Sequence, residues 1–137
     1  MQYTVKEIAE QMGLTEHTLR FYTDRGLLPC NRDKNNRRVF DEDSINWLEG
    51  IKCLRKCGVS IEDIKAYSDL CLSDTPDGLQ NRYAFMLKQR ENAMERLKEA
   101  QELADYMIHK VRHYEDILSG KITDDTNPAK QKLNPCD

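Results

Sequence analysis

LQNRYAFMLKQRENAMERLKEAQELADYMIHKVRHYEDIL, residues Leu79 to Leu118, decides how this chain is built. Steps of four and three through it visit Leu79, Tyr83, Met86, Arg90, Ala93, Leu97, Ala100, Ala104, Met107, Val111, Tyr114 and Leu118. Eleven of these twelve are apolar or aromatic, and only Arg90 interrupts the row. A repeat of about 3.5 residues, held for roughly five heptads, is the pattern of a coiled-coil seam. The ends are punctuated. Thr75-Pro76-Asp77 offers a cap residue, a proline suited to the first turn and an acid, and Ser119-Gly120 supplies a stop. A helix of roughly 40 residues is about 60 Å long, more than so short a chain can cover with its own core. The seam therefore predicts a homodimer. Arg90 either sets the register and direction of pairing or snorkels outward.

The bulk composition agrees with one modest domain plus an extended element: 137 residues, 33% charged and 39% hydrophobic. No apolar run approaches a membrane span, and Lys6, Glu7 and Glu10 interrupt the N-terminus as a signal peptide. A cytoplasmic protein with no membrane partner is expected. Five cysteines (Cys30, Cys53, Cys57, Cys71, Cys136) are an odd number, too sparse for a disulfide scaffold, and predict free thiols. The net charge of −3 argues at first against a polyanionic partner. Its distribution argues otherwise. Between Arg20 and Arg38 lie six basic residues (Arg20, Arg25, Arg32, Lys34, Arg37, Arg38) against two acids, Asp24 and Asp33, so one basic face on an acidic protein is expected.

Upstream of the seam, Thr4-Val5-Lys6-Glu7 reads as a capping box, and Val5, Ile8, Ala9 and Met12 share one helical face before Gly13 stops the helix. Thr15 caps a second helix with Leu19 and Tyr22 inward and His17, Arg20, Phe21 and Asp24 outward. Two short helices around a Gly-containing turn form either a helix-turn-helix or merely an amphipathic hairpin. In the first case Arg20 can fork onto a guanine edge or a phosphate, and Phe21 can press on a thymine methyl. The residues beyond the second helix favour that case. Gly26-Leu27-Leu28-Pro29 ends it, and Asn35-Asn36 is a turn between two short extended segments, the second being Arg37-Arg38-Val39-Phe40. An arginine-rich hairpin in that place is a wing, its tip on a phosphate backbone and Phe40 able to anchor it to the body. Asp41-Glu42-Asp43-Ser44 caps a third helix with Ile45, Trp47, Leu48, Ile51 and Leu54, Gly58 breaks it, and Ser60 caps a fourth with Ile61, Ile64, Tyr67 and Leu70.

Thr18-Leu19-Arg20-Phe21-Tyr22, Gly26-Leu27-Leu28-Pro29, Arg38-Val39-Phe40 and the run from Leu48 to Ile64 together resemble the winged-helix domain of the MerR family of bacterial transcription regulators. The resemblance runs from Gln2 to Leu70, and the long helix has the family's place and length. Thr23 stands where the family usually has Glu, and Phe40 where Tyr is usual. The fold expected is mainly α: a winged helix-turn-helix domain over 1–74 with a small β-hairpin wing, a dimerisation helix over 75–119 and a polar, disordered tail over 120–137. The resemblance implies that the long helices pair as an antiparallel coiled coil. It also implies that the dimer distorts double-stranded promoter DNA so that RNA polymerase can start at the same promoter. Arg20 and Phe21, with Thr15, His17 and Thr18 nearby, would read the major groove. Arg37, Arg38 and Phe40 would lie on the backbone, and Lys56 would add a phosphate contact.

The signal is harder to read. The resemblance implies that a metal sensor would carry a cysteine at the start of the long helix and a cysteine-bearing loop after it. Here the helix begins near Asp77 without one and only Cys136 lies beyond Gly120, so metal sensing is not expected. The pair His109 and His113, at i and i+4, reads as helix surface or a weak metal site. Cys53 sits where a short thiol- or aldehyde-responsive subgroup resembling this chain places its important cysteine. Cys57 and Cys71 are secondary candidates, and a buried, inert thiol is the bland reading of each. A non-covalent small-molecule effector stays open, as does a coiled-coil adaptor that binds no DNA. No cofactor is expected. An enzyme is not expected either, since no Gly-rich phosphate loop, nucleophile elbow or carboxylate pair is present.

Overall fold

A computed structural model describes residues 1–73 and 75–130. The elements run β1 (Tyr3–Thr4), α1 (Val5–Met12), α2 (Glu16–Asp24), β2 (Asn31–Arg32), β3 (Arg38–Phe40), α3 (Glu42–Lys56), α4 (Ile61–Leu72) and α5 (Gly78–Leu118). The chain divides into two units, one ending at Ala93 and the other starting at Met94.

Short polar side chains start the first four helices. Thr4, Thr15, Asp41 and Ser60 accept hydrogen bonds from the amides of Glu7, Thr18, Ser44 and Asp63, at 3.1, 3.0, 3.0 and 3.1 Å. Each cap satisfies an amide that the helix itself leaves unpaired, worth about 1 kcal/mol. Glu7 differs from the expected capping box: its carboxylate accepts from the Thr4 hydroxyl. The full reciprocal box forms instead at Asp41 and Ser44. Gly13, at φ 69°, closes α1 with its N–H on Ala9 and Glu10 carbonyls, a left-handed turn that a Cβ would disfavour.

The apolar faces of α1, α2, α3 and α4 meet in one core of Ile8, Ala9, Met12, Leu19, Tyr22, Leu27, Leu28, Phe40, Leu48, Ile51, Val59 and Ile64. At its centre the Leu27 carbonyl accepts from the Trp47 indole N–H at 2.9 Å and from the buried Ser68 hydroxyl at 2.8 Å. Lys52 donates to the Met12 carbonyl at 2.8 Å, placing a cation at the C-terminal end of α1.

The wing belongs to a three-stranded antiparallel sheet, ordered β1-β3-β2. Tyr3 pairs with Phe40 and Thr4 with Val39, while Asn31 and Arg32 pair with Val39 and Arg38. The sequence predicts a two-stranded hairpin, without β1, because Tyr3 and Thr4 read there only as the approach to a helix cap.

In the first unit, α5 starts at Gly78, just after the expected Thr75-Pro76-Asp77 entry, where the Gly78 N–H closes a turn onto the Thr75 carbonyl. Phe85 stacks on Tyr67 at 5.0 Å, and Gln89 donates to Asp63 at 3.3 Å. Among the seam residues here, Leu79, Tyr83 and Met86 are exposed. In the second unit Leu97, Met107, Val111, Tyr114 and Leu118 are exposed as well. After the helix, His113 Nε2 meets Asp125 Oδ1 at 2.6 Å, and Asp124 accepts from the Thr126 amide and hydroxyl. Of the expected tail over 120–137, residues 131–137 lie outside the described residues.

Leu19 is fully enclosed between α1 and α2. Leu19→Ala is expected to lower unfolding free energy by about 2–5 kcal/mol in urea denaturation, as buried leucine truncations do.

Candidate nucleic-acid interface

The outward side of α2 carries the side chains singled out from the sequence, in unequal states. His17 is exposed. Arg20 is about half exposed, held loosely by Glu16 one turn earlier at 3.3 Å, a surface pair that a stronger anion can displace. Thr15 and Thr18 are committed to the cap, with the Thr15 hydroxyl donating to Thr18 at 2.8 Å. Phe21 is half-buried against the core, and the Arg25 guanidinium lies 5.1 Å over its ring. Arg25 was legible only as one of six basic residues; the signal for its contact was the i, i+4 spacing from Phe21.

The wing tip is a built turn. Asp33 Oδ1 accepts from the amides of Asn35 and Arg37, both at 2.9 Å, and Asn36 takes the left-handed conformation with φ 60°. Arg32 donates across the turn to the Asn36 carbonyl at 3.0 Å. Lys34 and Arg37 are exposed at this tip, and Lys56 is exposed at the end of α3.

Two wing residues are placed otherwise than expected. Phe40 is only 1% exposed, with its ring inside the core. It offers no surface to a ligand, and its part is the anchoring one. Arg38 keeps only 18% of its side chain in water, with Nη2 on Asp24 Oδ1 at 2.5 Å. Its carry-over as a contact on a phosphate backbone meets a guanidinium already engaged.

On another face, α3 and α4 border a cleft of about 210 Å³ whose walls include Trp47, Gly50, Leu54, Ile64, Tyr67 and Cys71. Gly50 lies in the interior of α3, where a Cβ would meet nothing within 4 Å. Burial pushes the Tyr67 hydroxyl above its ordinary pKa, and the Cys71 thiol beside it adds to the shift. Cys53 and Cys57 are exposed on α3 and its cap, and Cys30, Cys53, Cys57 and Cys71 carry no disulfide. Among the described residues no His, Cys, Asp and Glu side chains gather as a metal cluster, and no helix is long and apolar enough to cross a membrane.

Residues 3–70 match the MerR HTH family regulatory protein family. An uncharacterised HTH-type transcriptional regulator of Haemophilus influenzae is 32% identical over 116 residues, covering 84% of this chain and 85% of the relative. The chain belongs to the MerR family. Within that family, AdhR of Bacillus subtilis is 43% identical over 67 residues, 48% of each chain. The crystal structure of HiNmlR, a MerR family regulator lacking the sensor domain and bound to promoter DNA, superposes with a TM-score of 0.69 at 30% identity. It covers 87% of this chain and 94% of that one. A MerR-family regulator from Listeria monocytogenes gives 0.73 at 27% identity, covering 96% and 93%. This chain is thus a MerR-family transcriptional regulator and not an enzyme.

The Tyr67 shift has a testable sign. Since the folded state holds this proton more tightly, the associated stability is fully present below the ordinary tyrosine pKa and is lost as pH rises through the folded one. Tyr67→Phe is expected to remove a late step from the tyrosine absorbance titration and to delay alkaline unfolding.

Proposed function

We propose that two copies of this chain pair along α5 and set two winged helix-turn-helix units on one promoter, distorting its DNA so that RNA polymerase can start there. The observation that carries the pairing is the row of apolar side chains left in water on α5, with Leu79 at 72%, Leu97 at 61% and Leu118 at 85% exposure. An apolar row of this length, broken only at Arg90, marks an interface. Its steps of four and three read the same from either end. An antiparallel copy therefore lays every member of the row against another, with the small Ala93, Ala100 and Ala104 near the middle where two backbones must come closest.

The DNA reading rests on the basic stretch in its folded place. Arg20 and His17 stand out from α2, and Lys34 and Arg37 from the wing tip, the former suited to reading a groove and the latter to gripping the backbone. The bound relative lends support, since HiNmlR is seen on promoter DNA. Bending such a site costs about 1–6 kcal/mol, which added phosphate contacts must return.

For the signal, the proposal takes Cys53 as the reactive thiol toward electrophile, aldehyde or oxidant stress, because it is exposed on the helix that packs under the wing. One observation favours a second reading, a non-covalent effector between α3 and α4. Glycine inside a helix costs about 0.5–1 kcal/mol relative to alanine, and Gly50 stands in the wall of that cleft, where a Cβ would meet nothing within 4 Å.

Mass measurement in solution is expected to return a dimer, and Arg20→Ala should weaken binding to a selected duplex about tenfold or more while the mass stays dimeric. A lone subunit that ignores duplexes at low salt overturns the proposal in favour of neither groove reading nor pairing. A dimer whose duplex affinity does not fall with rising salt points to the adaptor reading. For the signal, Cys53→Ser should abolish transcriptional induction by formaldehyde and retain duplex binding; full induction in that variant, lost instead in Gly50→Leu, assigns the signal to the cleft.

A further inference from the structure

Six basic side chains crowd the stretch from Arg20 to Arg38, and five of them are exposed. Arg38 is the exception. Its Nη2 is bonded to Asp24 on the last residue of α2, and its Nε is enclosed without a hydrogen-bond partner. A guanidinium meant for a phosphate keeps its donor edges in water until the anion arrives, where it can exchange counterions for it. Arg38 has one edge shut and one corner taken.

Asp24 points the same way from the other side. A carboxylate at the C-terminal end of a helix faces the negative end of the helix dipole. It also adds negative charge to a surface that otherwise gathers cations. Both effects disfavour an acid at this position. Arg38 is what favours it.

We infer that Arg38 and Asp24 form a strut that fixes the wing against the recognition helix, so that Arg38 is a positioning residue and not one of the phosphate contacts. Arg38 begins β3, directly after the turn that carries Lys34 and Arg37, and Asp24 ends the helix that carries Arg20. Among the described residues this is the ion pair that joins α2 to the wing. β2 is only two residues long, so sheet hydrogen bonds alone hold the tip weakly. The strut sets the distance between the side chain that reads bases and those that grip the backbone, which is what a duplex measures.

This inference rests on the DNA-binding reading for its consequence but not for its geometry, and the test separates the two. The probe is a labelled duplex selected from a random library by the full-length wild-type dimer at low salt. Asp24 is exposed, so Asp24→Asn keeps the core intact. A strut predicts that Asp24→Asn and Arg38→Ala each weaken binding by about fivefold or more, that the double variant is no weaker than the singles, and that the slope of log affinity against log salt stays at the wild-type value. Arg37→Ala, by contrast, should lower that slope by about one. If Arg38 were a phosphate contact and Asp24 a bystander, Arg38→Ala would lower the slope and Asp24→Asn would tighten binding. Either result overturns the strut. Amide hydrogen exchange on the free protein gives the second readout: residues 31–40 should exchange faster by about fivefold or more in Asp24→Asn, and unchanged exchange overturns the strut. Should the wild type retain no duplex, the DNA reading falls and the exchange measurement still decides.

Discussion

One carbonyl oxygen holds the winged unit together. Leu27 comes just after the recognition helix, and its C=O is spanned by the Trp47 indole from α3 and the Ser68 hydroxyl from α4. A carbonyl has two acceptor positions, and a buried one left unmade costs about 1–3 kcal/mol. Here both are filled, by side chains from different helices. The exit of α2 is therefore held from two directions at the point where Gly26, with φ 74°, turns the chain away. Leu27 and Leu28 then bury completely, and Pro29 leads toward the wing with no amide to place. The outward face of α2 is aimed by that fixed exit as much as by the cap at Thr15.

The charge of the surface depends on how many cations are already engaged. Lys52 holds the end of α1, Arg55 donates to the Val59 carbonyl, Lys65 pairs with Asp69, and Arg38 pairs with Asp24. Each fastens one piece of backbone or one turn to another. What remains toward solvent on α2 and the wing is His17, Arg20, Arg25, Arg32, Lys34 and Arg37. A net charge of −3 thus says little about this face, because formal counting weighs a fastened lysine and an exposed arginine alike.

Most of the fold was legible because its signals are local. Thr4, Thr15, Asp41 and Ser60 are caps that can be read from a few neighbouring residues, and all four accept from the amide three positions on. β1 was not legible, since a two-residue strand has no periodicity and its partner Val39-Phe40 lies far along the chain. The site was legible as a set of residue types but not as a set of roles. Phe40 and Arg38 stand in a basic, wing-like stretch, yet one is core and the other is paired, and alternation along a three-residue strand is too short to tell which way either points. Arg20 and Arg37, whose neighbours are near in sequence, are exposed, as an outward position predicts.

The long helix holds a feature that a single seam conceals. Over its first turns α5 carries two stripes roughly 100° apart at about 3.6 residues per turn. Phe85 and Gln89 face α4, through the Tyr67 ring and Asp63. Leu79, Tyr83 and Met86 lie on the other stripe, exposed, where the proposed partner helix would pack. Tyr67 is also a wall of the α3–α4 cleft, with Cys71 one turn further along the same helix. A change that moves the Tyr67 ring must repack Phe85 or break their stack, because close-packed aromatic rings do not yield separately. Phe85 is two residues from Tyr83 and adjacent to Met86, so its displacement rotates or shifts the stripe on which the proposed pairing depends. The cleft and the exposed stripe are joined by one ring contact within a single unit.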